Sequence, residues 1–177
     1  MRLLFEIDRK NYENCTHTFV RNSARSIIIR GEKLAMIFSR KDRYYKLPGG
    51  GIEQGEDYVT AMIRETLEEV GLTVKPETVR EFGYVHRIQK GSHGEGEVFI
   101  QDNFYYFCEA EDGEVVPTLT ESEKKADYVP VFVEPEAAIA ANKAALEAPN
   151  LPDTAAAMLE REIRVLEMLL EEDLLGK

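Results

Sequence analysis

The sequence predicts an α/β protein of the α+β type, in which a mixed β-sheet is sandwiched between helices and a further helix is added at the C-terminal end. Three observations carry this prediction. Runs of β-branched and aromatic residues typical of strands recur between residues 24 and 133. Few helical patterns interrupt them, which disfavours a regular alternation of strand and helix. Patterns with helical spacing then dominate the end of the chain.

Length and charge limit what the protein can be. The 177 residues suffice for one domain with a sizeable core. We expect a main domain over residues 1–148, and over residues 149–177 a helix that packs on this domain or at a dimer interface. The formal net charge of −11 argues against non-specific binding to nucleic acid or to anionic membranes. An anionic substrate would therefore need local positive charge or a bound cation.

The cysteine usage and the N-terminus predict a cytoplasmic protein. Cys15 and Cys108 form no CxxC pair, and no stretch resembles a signal peptide. This pattern favours a reducing compartment. No apolar run approaches the roughly 20 residues that a membrane-spanning helix needs.

The first elements follow from turn and capping residues. Residues 24–40 predict two strands rich in isoleucine and leucine, joined by a tight turn at Gly31-Glu32. Residues 44–47 predict a short strand, and the proline and three glycines after it predict a loop. Asp57 is a candidate N-cap and Gly71 a candidate left-handed stop, which together predict a helix over Tyr58–Val70.

This helix has one apolar side and one acidic side. At about 100° per residue, the apolar side holds Val59, Met62, Ile63, Thr66 and Val70. The other side holds Tyr58, Ala61, Glu65, Glu68 and Glu69. Like charges at these spacings repel by roughly 0.2–0.5 kcal/mol per pair. Either the face is simply solvated, or something near it favours several carboxylates at one place.

The second half predicts two long strands, a short strand and two helices. The long strands cover Val79–Gln89 and Val98–Ala110, with a polar loop between them. An acidic loop over Glu111–Asp127 precedes a short strand at Tyr128–Val133. The helices cover residues 134–146 and, after a break rich in proline, about residues 153–175.

The acidic helix belongs to a longer motif. Gly50 is followed after five residues by Glu56, and after seven more by Arg64-Glu65-Thr66-Leu67-Glu68-Glu69-Val70-Gly71-Leu72. This pattern resembles that of the Nudix hydrolases, G-x5-E-x7-R-E-U-x-E-E-x-G-U, where U is a bulky aliphatic residue. Thr66 is the one departure, and a β-branched residue can pack in that place. The resemblance implies the Nudix fold.

The resemblance also implies a metal site. Oxygen ligands suit a hard cation such as Mg²⁺, with Mn²⁺ as a further possibility. The carbonyl of Gly50 and the carboxylates of Glu65, Glu68 and Glu69 are the implied ligands. Arg64 is expected to hold one of these carboxylates, and Glu56 to orient Arg64 or a bound water.

For this family we expect hydrolysis of the pyrophosphate linkage in a nucleoside diphosphate joined to another moiety. The substrate would be a small nucleotide: a nucleoside triphosphate, a nucleotide sugar or a dinucleotide. The carboxylate that accepts the water's proton is either Glu65 or a glutamate on a later loop, Glu121 or Glu123. The alternatives are a non-catalytic nucleotide sensor on the same fold and a structural cation site.

Two further groups are candidates for substrate binding. The basic side chains of Arg40, Arg43 and Lys46 contact phosphates or form the solvent face of a strand. Tyr84 is one of several tyrosines that either stack on a nucleobase or belong to the core.

Overall fold

The computed structural model describes residues 1–92 and 94–175, so His93 of the predicted polar loop and the last two residues of the C-terminal segment lie outside the described residues. The described part contains ten strands and four α-helices. The strands are β1 (Leu3–Asp8), β2 (His17–Val20), β3 (Ser23–Ile27), β4 (Ile29–Arg30), β5 (Lys33–Ser39), β6 (Tyr44–Lys46), β7 (Gly49–Gly51), β8 (Arg80–Lys90), β9 (Glu97–Phe107) and β10 (Tyr128–Val133). The helices are α1 (Tyr58–Val70), α2 (Glu121–Lys125), α3 (Pro135–Leu146) and α4 (Asp153–Glu171).

The strands form two sheets. The six-stranded sheet has the order β1-β8-β9-β3-β7, with β2 also beside β9. It is mixed, because β1 runs parallel to β8 and β3 runs parallel to β9, whereas the pairs β8–β9 and β3–β7 are antiparallel. The four-stranded sheet joins β10, β5 and β4, with β6 also on β5, and all its pairs are antiparallel.

Helices cover the sheets on two sides, and each side has its own core. Under α1, Ala61 and Met62 pack in a cluster with Ala24 and Ile37. On the other side, Leu166 of α4 packs in a cluster with residues of α3, β3 and β5. The predicted fold class, a mixed sheet between helices with an added C-terminal helix, is confirmed. A dimer interface for α4 stays a prediction.

Helix α1 begins and ends where its capping residues predict. The Asp57 carboxylate accepts hydrogen bonds from the N–H groups of Val59 and Thr60. At the other end, Gly71 has a φ of 70° and donates its N–H to the Leu67 carbonyl. The prediction of its polar face was wrong for Ala61 and Glu69, because both side chains are buried.

Several strands differ from the prediction because they pair with strands that are distant in sequence. Residues 24–40 do not form one hairpin: β3 joins the six-stranded sheet, while β4 and β5 form a hairpin around Gly31-Glu32 in the other sheet. Ile27 and Ile28 accordingly point into different cores. The glycines predicted as a loop form β7, because the edge of β3 supplies hydrogen-bond partners. The acidic stretch predicted as a loop contains α2, which has a capping box at Thr120 and Glu123.

Within the described part of the chain, every helix is too short or too polar to cross a membrane.

Gly71 offers a test of how α1 is terminated. A residue with a side chain at this position would have to keep the left-handed φ of Gly71. Its Cβ would also overlap the carbonyl oxygen of Val115. Gly55 also has a positive φ, of 85°, but a Cβ there would meet nothing within 4 Å. Gly55→Ala should therefore cost only the backbone strain of about 1–2 kcal/mol, and Gly71→Ala clearly more. Urea unfolding measures both, and equal losses would contradict the steric role of Val115.

Candidate active site

The glycine strand β7 lies directly against the acidic side of α1. Gly50 pairs with Ala24 of β3 on one side and meets Glu65 on the other. A Cβ at Gly50 would lie 2.5 Å from Oε2 of Glu65. Only glycine lets the backbone approach this carboxylate so closely.

The guanidinium of Arg64 joins the carboxylates of the site. Its Nε and Nη2 bind Glu56 in a bidentate pair, at 2.9 and 3.0 Å. Its Nη1 donates to Glu65 at 2.8 Å and to Glu68 at 3.3 Å. Nη2 also donates to the Gly51 carbonyl at 3.2 Å. One side chain thus connects the loop before α1, the glycine strand and two helical glutamates.

This contact keeps both partners charged. The hydrogen bonds and charge of Arg64 lower the pKa of Glu56, with a smaller opposing effect from burial. The carboxylates of Glu56 and Glu65 in turn raise the pKa of Arg64 against the effect of burial. Near neutral pH the pair is therefore an ion pair.

Glu69 is held differently from the other two glutamates. Its side chain is only 3% exposed. One oxygen accepts from Lys46 Nζ at 2.8 Å and the other from the N–H of Gly49 at 2.7 Å. Burial raises the pKa of Glu69, while Lys46 and the Gly49 N–H act in the opposite direction. Glu69 thus ties α1 to the start of β7, whereas Glu68, with its side chain 43% exposed, faces the cleft.

A cleft of about 460 Å³ opens beside these residues. Basic and acidic side chains stand close together in its lining, which is suited to phosphate groups accompanied by a cation. The lining consists of Arg21, Ser23, Arg25, Lys46, Gly49, Gly50, Gly51, Glu53, Arg64, Glu65, Glu68, Glu69, Gln101, Thr120, Ser122 and Glu123. A larger depression of about 720 Å³, between β3, β9 and Leu175, contains none of the α1 glutamates.

Most predicted site residues meet at this cleft. Gly50, Arg64, Lys46 and the three α1 glutamates line it, and Glu56 reaches it through Arg64. Glu123 also lines it, from α2.

Four predicted residues lie elsewhere. Glu121, on the exposed side of α2, pairs with Lys124 at 2.8 Å. Arg40 lies 3.9 Å from Asp127, and Arg43 lies over the Phe38 ring. Tyr84 packs against Phe104, with ring centroids 5.7 Å apart.

Several cleft residues were missed by the sequence analysis. Ser23 and Arg25 lie two residues apart in β3, and polar residues at every second position of a buried strand were a usable signal, while Arg21 lies just before this strand. Arg25 donates to the carbonyls of Leu47 and Gly49, at 2.9 and 3.1 Å. Gln101 offers no local signal, because only the pairing of β9 with its neighbours brings it to the cleft.

The donors of the site suit a hard divalent cation. Within residues 1–92 and 94–175, no three carboxylate, imidazole or thiol groups already converge on one point. Instead, Arg64 and Lys46 hold the glutamates. Glu65 and Glu68 nevertheless share one Arg64 nitrogen, and the backbone of Gly50 touches Glu65. Two carboxylates and a backbone segment are thus close to one another where β7 meets α1, and oxygen ligands of this kind suit a hard divalent cation.

Comparisons with known proteins identify the family and the fold of the chain. The chain matches the family model of the NUDIX domain over residues 20–154. A search of curated proteins gave no match. A solved NUDIX hydrolase from Nitrosomonas europaea shares the fold, with 15% identity, a TM-score of 0.55 and coverage of 83% of this chain and 90% of that one. A MutT NUDIX hydrolase from Burkholderia pseudomallei gives 18% identity, a TM-score of 0.49 and coverage of 80% and 97%.

The Glu56–Arg64 pair predicts a pH-dependent stability. Because the pKa of Glu56 is lowered below its ordinary value of 4.5, the pair stabilises the fold above that pH and loses this effect as the pH falls through the lowered pKa. Wild type should be more stable than Glu56→Gln at pH 7, and the difference should shrink below pH 4.5. Urea unfolding across this range measures it. The exposed Glu13→Gln is the control, and a gap that does not change with pH would contradict the prediction.

Proposed function

Because the chain belongs to the Nudix family of pyrophosphohydrolases, we propose that it hydrolyses, with Mg²⁺, the pyrophosphate linkage of a nucleoside diphosphate joined to another moiety. Nudix enzymes act on small nucleotides and generally use divalent cations such as Mg²⁺. The observation that carries the proposal is the contact of Arg64 with Glu56, Glu65 and Glu68 beside Gly50. Nucleoside triphosphates, nucleotide sugars and dinucleotides are the substrate classes to assay.

The residues that would hold the cation are the carbonyl of Gly50 and the carboxylates of Glu65, Glu68 and Glu69. Mn²⁺ could replace Mg²⁺ there, since both suit oxygen ligands. When bound, the ion would neutralise phosphate charge and lower the pKa of a coordinated water.

The chain's own residues prepare this site in two ways. Arg64 orients the Glu65 carboxylate through a charge-assisted hydrogen bond, with an N–O distance of 2.8 Å. Lys46 and Arg21, on the cleft wall, offer positive charge to phosphate oxygens in a protein that is acidic overall.

For the carboxylate that accepts the water's proton, the geometry favours Glu123 over Glu121. Glu123 lines the cleft, whereas Glu121 is exposed and paired with Lys124. Burial acts to raise the pKa of Glu123, but its hydrogen bonds to Thr120 and the charge of Lys46 outweigh it, so the pKa is lowered. Glu123 is therefore ionised near neutral pH and able to take up a proton. Glu65 is the other candidate.

Substitution of Glu68 tests the metal role. Glu68→Gln removes a negative charge from an exposed side chain, so the melting temperature should change little. With Mg²⁺ and a panel of the three nucleotide classes, kcat/KM should fall by more than the roughly 10–100-fold typical of residues behind a metal ligand. Turnover equal to that of the wild type would remove Glu68 from the site. No turnover by the wild type on any compound would favour the sensor alternative.

A matched pair of variants on α2 tests the general base. Glu123→Gln keeps the capping box, since glutamine serves at that position as well, but cannot accept the proton. It should lower kcat by roughly 10²–10⁴-fold and abolish the acidic limb of the pH–rate profile. Glu121→Gln, two residues away on the same helix, should leave both unchanged. If Glu123→Gln keeps full activity, the role passes to Glu65.

A further inference from the structure

Three arginines are buried on the face of the six-stranded sheet that packs against α4. Arg25 of β3 is 8% exposed, Arg87 of β8 7% and Arg161 of α4 1%. Arginine is almost never fully buried unless its charge is paired. The partners of these three guanidinium groups therefore decide what the cluster is for.

The three positive charges have little compensation. Arg161 donates to Glu162 and to the Asn103 side-chain oxygen, each at 2.6 Å. Arg25 uses Nη1 for two backbone carbonyls. The guanidinium of Arg87 makes no hydrogen bond to any residue in the described part of the chain and lies over the Phe99 ring, 5.0 Å from its centroid. Among the described residues, Glu162 is the one carboxylate hydrogen-bonded to this cluster.

Unused hydrogen-bond donors accumulate in the same place. The Nε atoms of all three arginines are buried and have no partner among the described residues. The same holds for the side-chain nitrogen of Asn103 and the hydroxyl of Tyr105, while Gln89 contributes one unused acceptor. A buried donor or acceptor that stays unsatisfied destabilises the fold. A set in which donors and positive charge predominate is suited to an anion.

The cluster adjoins the cleft at Arg25, while Arg87 and Arg161 are outside the cleft lining. Arg25 and Ser23 line the cleft, and Ser23 donates to Asn103 at 2.7 Å. Gln101 lines it as well and lies directly opposite Arg87 in the pairing of β8 with β9. Burial, together with the nearby charges of Arg161, Arg25 and Arg9, lowers the pKa of Arg87 to about 9, against a smaller opposing effect of the Asp153 carboxylate. In the absence of an anion, the charge of Arg87 is therefore unfavourable.

We propose that Arg25, Arg87 and Arg161 form a phosphate subsite, which receives a further phosphate group carried by the substrate on the side of β7 remote from the α1 glutamates. This assignment rests on the proposed function, because it places the group within the same substrate. The expected substrates are nucleotides whose second moiety carries a phosphate group in addition to the pyrophosphate that is hydrolysed. Nucleotides with a neutral second moiety are disfavoured.

The test uses Arg87→Met, because Arg87 makes no hydrogen bond that the fold would lose. Melting temperatures are measured in EDTA, with inorganic phosphate and with potassium chloride at equal ionic strength. Phosphate should raise the melting temperature of the wild type more than chloride does. Arg87→Met should melt no lower than the wild type without phosphate, since an uncompensated buried charge has been removed, and should lose the phosphate effect.

Arg80→Met is the matched control. Arg80 is also on β8 and also lies over a phenylalanine ring, 5.8 Å from the Phe107 centroid, but its side chain is exposed whereas that of Arg87 is buried. It should keep the full phosphate effect. If Arg87→Met melts lower and keeps the phosphate effect, or if the wild type shows none, Arg87 is a structural residue and the subsite is wrong. Should Arg87→Met fail to fold, Arg87→Gln is measured by the same criteria.

The EDTA measurement needs neither metal nor turnover, so it separates the two proposals. A phosphate effect that depends on Arg87, in a protein without hydrolytic activity, would support the subsite and overturn the proposed function. Activity that shows the same KM in wild type and Arg87→Met, for substrates with and without the extra phosphate, would overturn the subsite alone.

Discussion

The contact between the Arg64 guanidinium and three carboxylates is the interaction on which the rest of the site depends. Glutamates on successive turns of one helix repel one another. In α1 this repulsion is reduced because positively charged side chains lie next to the carboxylates. Arg64, on the same helix, forms ion pairs with Glu65 and Glu68, and Lys46 of β6 forms an ion pair with Glu69. The same guanidinium fixes the loop at Glu56 and the carbonyl of Gly51. Because β7 must lie against Glu65, the residue at position 50 has to be glycine.

The segment that leads into the glycine strand is held from three directions. Glu69 of α1 accepts the Gly49 N–H, Arg25 of β3 donates to the carbonyls on either side of Pro48, and Glu162 of α4 accepts the Leu47 N–H at 3.0 Å. The NUDIX family match ends at residue 154, where α4 has barely begun. A helix almost entirely outside the matched region thus supports the segment that leads into the strand of Gly50, and supplies the buried Arg161, which donates to Asn103 of β9.

Features that depend on residues close in sequence could be predicted, and features that depend on contacts between distant residues could not. Helix α1 was predicted to the residue, because Asp57 and Gly71 act on adjacent backbone groups. Strand β7 was missed, because three glycines carry no strand preference and pair only once β3 is beside them. The Nudix pattern pointed to the cleft through Gly50, Glu65 and Glu68, whereas Arg40 and Arg43, chosen for charge and proximity in sequence, lie away from it. Arg25 and Glu162 depend on contacts 22 and 115 residues away, which no local pattern reveals.

The central claim is that the acidic side of α1 and the backbone of Gly50 form one cation site for a nucleotide diphosphate. An anomalous difference map from crystals containing Mn²⁺ and a non-hydrolysable nucleotide tests it most directly. We predict a peak within about 2.5 Å of carboxylate oxygens of Glu65 or Glu68, with the phosphates of the nucleotide beside it. A nucleotide bound in the cleft with no metal peak at α1, or a peak only elsewhere, would contradict the account.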